Sequence, residues 1–547
     1  MSFPLLTLSW AVPAAGAIVT AALPAATTEA RRNTARWTAL AFSAVTLVLA
    51  AVAAARFTPG GTRFQLTEHH SWISDFGIGY SLGVDGIAVA LVLLTAVLVP
   101  VVMIAAWHDA DPQAPVAENT FENRRRTQGF FALILAVEAM VLLSFESTDV
   151  FLFYVLFEAM LIPMYFLIGG FGDRTQGEDA RQRSYAAVKF LLYNLVGGLV
   201  MLAAVIGLYV ITAQQHIGTG GAAGSFDLPT LTHALSTGRL HLSGTAEKAV
   251  FLGFMFAFAV KAPLWPFHTW LPNAMGEATP AIAVLITAVV DKVGTFAMLR
   301  YCLELFPGAS KTFAPVIMVL ALIGIVYGAL LAVGQKDIKR LVAYVSLSHF
   351  GFIILGIFAM TSQAQSGAAL YMVNHGVATA ALLLIAGFLM SRRGSRYIAD
   401  FGGVQKVAPI LAGTFLVAGL ATLSLPGLGP FVSEFLVLVG TFERYPVLGV
   451  IATVGIVLAA LYVLVLYQRT MTGPVKEGVA GMKDLKAREL VVVTPLIALL
   501  LVLGFYPKPI ADMINPAVRA TLSDVHQTDP AIQHPVTAAK INGGDQK

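Results

Sequence analysis

Six ionisable side chains stand inside long apolar runs of the chain: Glu158, Lys261, Lys292, His349, His375 and Glu434. A charge at the centre of a bilayer costs about 2.5 to 3.5 kcal/mol even on insertion scales, so each one asks for a reason. Glu158, in FLFYVLFEAMLIPMYF, is nine residues past Asp149 and fifteen before Asp173. On a helix that places it roughly 13 Å from the nearer end, close to the midplane. Lys261 closes the run AVFLGFMFAFAVK, and Lys292 sits in AVLITAVVDKVGTFAML, fifteen residues past Glu277 and eight before Arg300. Glu434 lies in PFVSEFLVLVG, while His349 and His375 fall within further apolar stretches. Carboxylate, ammonium and imidazole groups aligned across several helices can pass protons. A lysine among apolar neighbours gives up its proton more easily, and a nearby carboxylate reverses that tendency, so the two together work as a switch. Histidine, titrating near ambient pH when unperturbed, suits an intermediate station. The expected order runs from the Glu158/Lys261 pair through water to Lys292, then to His349 or His375, with Glu434 last. Such groups titrate as a set.

Static explanations compete with this one. Glu158 and Lys261 can form a buried ion pair that only fixes packing. A histidine in an apolar helix often does no more than bond a neighbouring helix. Asp291 adjoins Lys292, but neighbours in a helix face different directions, so Asp291 is expected to find another partner. Glu138 and Lys189 are read as structural or interfacial.

Two features favour the mobile-proton reading. The first is backbone interruption beside the charges. KAPLWPFHTWLPNAMGEATP follows Lys261 with Pro263, Pro266 and Pro272, and LSLPGLGPFVSEF sets Pro426, Gly427, Gly429 and Pro430 just before Glu434. Proline removes an amide donor and clashes with the preceding turn, so both helices are predicted to break. Unwound backbone at membrane depth is tolerated only where it is buried in protein or faces water. The second feature is spacing, which depends on the elements that carry these residues.

Apolar runs predict spans near 4–24, 35–55, 84–107, 127–146, 149–170, 185–213, 248–271, 278–303, 313–333, 338–360, 366–390, 409–440, 447–470 and 490–507. The fold class is therefore an all-α integral membrane protein of fourteen helices. The first run lacks the basic leader of a signal peptide and counts as a span. Taken as two five-helix units, spans 4–8 and 9–13, the breaks in helices 7 and 12 fall in the fourth helix of each, and Glu158 and His349 fall in the second. Five helices per unit inverts the second copy, the architecture of transporters with midplane sites. Residues 1–126 then form an N-terminal three-helix segment, 127–303 and 313–470 the two repeats, and 471–547 the last helix with a polar tail from about 508.

Composition agrees. Of 547 residues 57% are hydrophobic and 12% charged, which excludes a soluble domain, and the single Cys302 excludes a disulfide framework. The net charge of +4 sits in short loops rather than in a nucleic-acid patch. Basic residues gather after odd-numbered spans, among them Arg124 to Arg126, Lys336, Lys339, Arg340, Arg392 and Arg393. Those loops are expected to be cytoplasmic, with both termini on the outer face. No CxxC, Walker A or HExxH occurs, the adjacent His69 and His70 lack further ligands, and no residues look fit to hold flavin, haem or iron and sulfur.

KAPLWPFHTWLPNAMGEATPAIAVLITAVVDKVG, KDIKRLVAYVSLSH and YMVNHGVATAALLL resemble the antiporter-like membrane subunits of respiratory complex I, over spans three to fourteen. Multisubunit cation/proton antiporters and membrane-bound hydrogenases share this core. Glu434, where the sibling chains L and N carry a lysine, favours the M branch, as does the chain's ending soon after the last span without the long lateral helix of chain L. The resemblance implies fourteen helices, a Glu158/Lys261 charge pair, Lys292 as central lysine, His349 and His375 as connecting groups and Glu434 as terminal carboxylate. It implies a bacterial inner-membrane subunit that translocates protons beside chains L and N, with NAD, FMN, iron-sulfur clusters and quinone on partner subunits and no cofactor of its own. The remaining alternatives are a subunit of a sodium/proton antiporter complex and a membrane scaffold with static ion pairs.

Overall fold

In a computed structural model that describes residues 3–111, 121–173, 180–218 and 221–531, the apolar runs fold as a nearly all-helical assembly. Twelve helices among the described residues are long and apolar enough to cross a membrane. The chain opens with α1 (Leu5–Ala22) and α2 (Glu29–Arg56), then a two-stranded antiparallel hairpin, β1 (Gln65–Ile73) and β2 (Ile78–Val84), and α3 (Gly86–Ala105). α4 (Phe121–Glu146) precedes α5 (Val150–Ala159) and α6 (Leu161–Phe171), two halves of one span meeting at Met160. Next come α7 (Ala180–Gln214), the short α8 (Leu228–Ser236), α9 (Gly244–Lys261) and α10 (Leu271–Glu277).

The segment Pro280–Leu303 is buried from Ala281 onward. It alternates α11 (Pro280–Val284) and α12 (Asp291–Ala297) with two wider π-type stretches, Leu285–Val290 and Met298–Leu303. Such stretches recur at functional sites because they re-aim the side chains that follow. Against this segment pack α3, α4 and α9, with α13 (Pro307–Val333), α15 (Ser362–Arg393) and α20 (Lys508–Asp524), while α14 (Ile338–Ala359), α16 (Pro409–Thr422), α17 (Gly429–Arg444), α18 (Pro446–Met471) and α19 (Ala487–Phe505) complete the assembly around α13 and α15. Peripheral helices show large apolar side chains outward, such as Leu199 on α7 and Val457 on α18. An apolar exterior this extensive suits lipid rather than water.

Both expected breaks are present. The predicted span 248–271 is α9 ending at Lys261 followed by irregular turns, and 409–440 is α16 and α17 separated by residues 423–428. Three sequence readings need correction. The tail from 508 is not merely a polar extension, because Ile514, Ala517, Val518, Thr521 and Leu522 line one face of α20 and are buried against α3 and α15. Their spacing is that of an amphipathic helix, too short and too polar to register as a span. One ion pair fastens it: Arg63 meets Asp524 of α20 and Glu304 at 2.5 Å each. Second, Lys339 is not a solvated loop charge. It is fully buried, with Nζ 2.5 Å from Asp173 and donating to the Ala278 carbonyl at 2.9 Å. Third, Asp291 has not found another partner, as described below.

Candidate functional site

The row starts where Asp149 caps α5. Its carboxylate accepts from the Phe151 and Leu152 amides at 2.9 Å, starting the helix whose last turn carries Glu158. The Glu158 carboxylate rests directly over Gly198 of α7, where an added Cβ would lie 1.7 Å from Oε1, and that oxygen has no hydrogen-bond partner. Only a glycine allows this approach.

Lys261 ends α9 and is buried. Its ammonium donates to the Phe157 carbonyl at 2.7 Å and stands 3.8 Å from the centre of the Phe157 ring. Lys261 and Glu158 therefore meet on neighbouring residues of α5 without forming an ion pair within 4 Å. The helix does not continue past Lys261. Leu264 donates to the Ala259 carbonyl at 2.9 Å, and Trp270 Nε1 caps the Val260 carbonyl at 2.9 Å, so side chain and turn take up acceptors that the missing helix leaves open.

Lys292 Nζ lies 2.7 Å from His375 Nδ1 and 4.2 Å from the centre of the Phe350 ring. His375 Nε2 meets the Thr379 hydroxyl at 3.2 Å. When Lys292 is an ammonium, its N–H donates a hydrogen bond to Nδ1 and Nε2–H donates to Thr379, which fixes the tautomer. The rings of His375 and His349 touch edge to face with centroids 5.3 Å apart. His349 Nε2 is 3.4 Å from the Tyr462 hydroxyl, and its ring centroid is 5.7 Å from that of Tyr371.

Beyond His349 lies the second break. Ser424 and Gly427 adopt positive φ of 61° and 94°, and α17 restarts at Gly429, whose carbonyl accepts from Asn374 Nδ2 at 2.7 Å. Asn374, beside His375 in sequence, thus holds the restart of α17 against α15. Ser424 bonds Glu434, and the Tyr371 hydroxyl faces both without reaching hydrogen-bond geometry to either.

The structure thus brings Lys292, His375 and His349 into one contact chain, and joins Glu434 to it through Tyr371 and Ser424. It sets Glu158 and Lys261 side by side but unpaired. Glu138 is fully buried, with one oxygen 3.1 Å from Ser43 Oγ and the other without a partner; Lys189 donates to Asn273 at 3.0 Å. Sequence reasoning missed Tyr371, Ser424, Tyr462 and Thr379, neutral polar residues that carry no penalty large enough to stand out in an apolar run. Among the described residues no group of three His, Cys, Asp or Glu side chains is placed to hold a metal ion.

Buried ionisable groups strung between two interrupted helices define a polytopic membrane protein of the antiporter-like kind. A family model described as NADH:quinone oxidoreductase/Mrp antiporter, TM, matches residues 147–459. NADH-quinone oxidoreductase subunit M of Mycobacterium tuberculosis is 57% identical over 98% of this chain and 97% of that one. The protein of the same name from Rhodobacter capsulatus is 36% identical over 95% and 97%. A chain of respiratory complex I from Thermus thermophilus, solved with bound NADH, superposes with a TM-score of 0.80 at 29% identity, covering 95% of this chain and 99% of that one. A chain of the Mrp complex from a Dietzia species shares the fold, with a TM-score of 0.78 at 19% identity over 96% of this chain and all of that one. The chain belongs to the NADH:quinone oxidoreductase/Mrp antiporter membrane family and, within it, to the NADH-quinone oxidoreductase subunit M branch.

Proposed function

We propose that this chain is the M subunit of a bacterial NADH:quinone oxidoreductase and carries protons across the membrane along Glu158, Lys261, Lys292, His375, His349 and Glu434. The observation that carries this reading is the unbroken contact from Lys292 through His375 to His349, lying between two helix breaks. A proton on Lys292 leaves through the 2.7 Å bond to His375 and passes to His349. The Tyr371, Tyr462 and Ser424 hydroxyls extend the line to Glu434. Electron transfer takes place elsewhere: NAD, FMN, iron-sulfur clusters and quinone belong to partner subunits, and chains L and N are the neighbours in the membrane.

With each broken pair counted as one crossing, the chain crosses the bilayer fourteen times. Residues 127–303 and 313–470 form two inverted five-helix repeats, after a three-helix segment at 1–126 and before the last helix and tail at 471–547. Matched positions support this: Lys261 and Glu434 flank breaks in the fourth helix of each unit, and Glu158 and His349 lie in the second. Both termini face outward in the bacterial inner membrane. The unpaired state of Glu158 and Lys261 disfavours a scaffold held by that ion pair.

The test is Lys292→Ala in the assembled complex, with NADH-driven acidification of inverted vesicles as the readout. Loss of acidification on the order of tenfold or more, with assembly intact, is expected. Parental acidification with full assembly would contradict the reading.

A further inference from the structure

Asp291 is fully buried, neither carboxylate oxygen has a hydrogen-bond partner, and it has no cation within 4 Å. A buried, unpartnered carboxylate is costly, and such a group calls for an explanation. Its position supplies one.

α12 presents two faces to two different helices. Gly294 packs so tightly on the end of α9 that an added Cβ would lie 2.9 Å from both the amide nitrogen and the Cβ of Ala262. Asp291, three residues earlier, lies on that same face, one turn away and toward Lys261. Thr295 meets Met372 of α15 at 2.9 Å, and Lys292, three residues before it, shares that face and reaches His375. The adjacent residues Asp291 and Lys292 therefore point to different helices. Asp291 lies within electrostatic reach of both Lys261 and Lys292. In the row itself this is the place where direct contact is missing: Lys261 is held by Phe157 and Lys292 by His375, with no bond between them.

Resting on the proton-carrying reading of the row, we infer that Asp291 is a further proton-carrying station, receiving from Lys261 and delivering to Lys292. In the first step an N–H bond of the Lys261 ammonium breaks and an O–H bond forms on Asp291, leaving a neutral amine and a neutral carboxylic acid. In the second step that O–H breaks, the proton joins the neutral Lys292 amine, and the carboxylate is restored. The pair of steps moves one proton and leaves the sum of charges unchanged. Burial favours this route, because the intermediate with amine and acid both neutral holds less charge in the apolar interior than a separate ammonium and carboxylate do. Lys261 then has two carboxylates near it, Glu158 and Asp291, and hands its proton to the second.

The experiment compares Asp291→Asn, Asp291→Glu and Lys292→Ala in the assembled complex in inverted vesicles. It measures NADH-driven acidification and an infrared difference spectrum on NADH addition. Asp291→Asn is expected to lower acidification on the order of tenfold while NADH oxidation by an artificial acceptor is unchanged. A protonated-carboxyl band is expected to vanish in Asp291→Asn and to shift in Asp291→Glu, which recovers most of the acidification. Parental acidification in Asp291→Asn, with Lys292→Ala inactive, would overturn this inference and leave the row's function standing. Parental acidification in both would overturn the function as well. Should Asp291→Asn fail to assemble, the band in Asp291→Glu decides, and an unshifted band would overturn the station.

Discussion

Lys292 and His375, on neighbouring helices and eighty-three residues apart in sequence, meet at 2.7 Å with both side chains fully buried. His375 is the only side-chain hydrogen-bond acceptor that the Lys292 ammonium has among the described residues. His375→Leu orphans a buried cation, and a lost partner of that kind costs about 1 to 3 kcal/mol, more for a charged group. Lower thermal stability of the complex and loss of acidification are expected together. His375→Gln keeps an acceptor for Lys292 and is expected to recover the stability but not the transport. Recovery of both would show that the imidazole carries no proton.

Gly198 is expected to be intolerant of a single methyl group. Gly198→Ala sets a Cβ where the Glu158 carboxylate now lies, and forcing such contacts typically costs about 1 to 3 kcal/mol. Because Glu158 lies in the last turn of α5 and Oε1 has no partner, the carboxylate moves rather than the backbone. Assembly should persist while acidification falls, as read in vesicles from the same preparation. Unchanged acidification would mean that the position of Glu158 does not matter.

At the second break, Asn374 is the pin. Asn374→Leu removes the donor to the Gly429 carbonyl and to Ser433 Oγ, at 2.7 and 3.2 Å. Losing a buried hydrogen bond of this kind costs about 0.5 to 1.5 kcal/mol. Hydrogen exchange at the amides of 423–430 should quicken, with little change at the first break around 262–270. Equal change at both would indicate general unfolding.

Lys339 provides the contrasting case, a buried charge with a structural task. Removing one partner of a buried pair costs about 3 to 5 kcal/mol. Lys339→Ala, which takes the cation from Asp173 and the donor from the Ala278 carbonyl, is expected to lower the amount of assembled complex. The complex that does assemble should pump with unchanged proton yield per NADH. A reduced yield in assembled complex would place Lys339 in the transport path.

The residues that sequence could identify were those whose cost is written in their type. Glu158, Lys261, Lys292 and Glu434 stand out because charge in an apolar run is expensive, and the proline and glycine clusters beside Lys261 and Glu434 fix where helices stop. Asp291 was in plain view beside Lys292, yet only the packing of Gly294 on Ala262 shows which way it faces. Ser424, Tyr371 and Tyr462 became visible only once helices far apart in sequence met. Lys339 was misread because a basic residue at a helix start looks like a loop charge until its carboxylate partner, 166 residues earlier, folds onto it. α20 escaped because its apolar face, from Ile514 to Leu522, is half as long as a membrane span and broken by polar residues.

A water-resolving experimental map of the assembled complex tests the central claim most directly. The account predicts ordered water between Lys261, Asp291 and Lys292, and again between His349, Tyr371 and Glu434, in at least one state captured during turnover. Apolar side chains filling both gaps in every captured state, with no water at either, would contradict it.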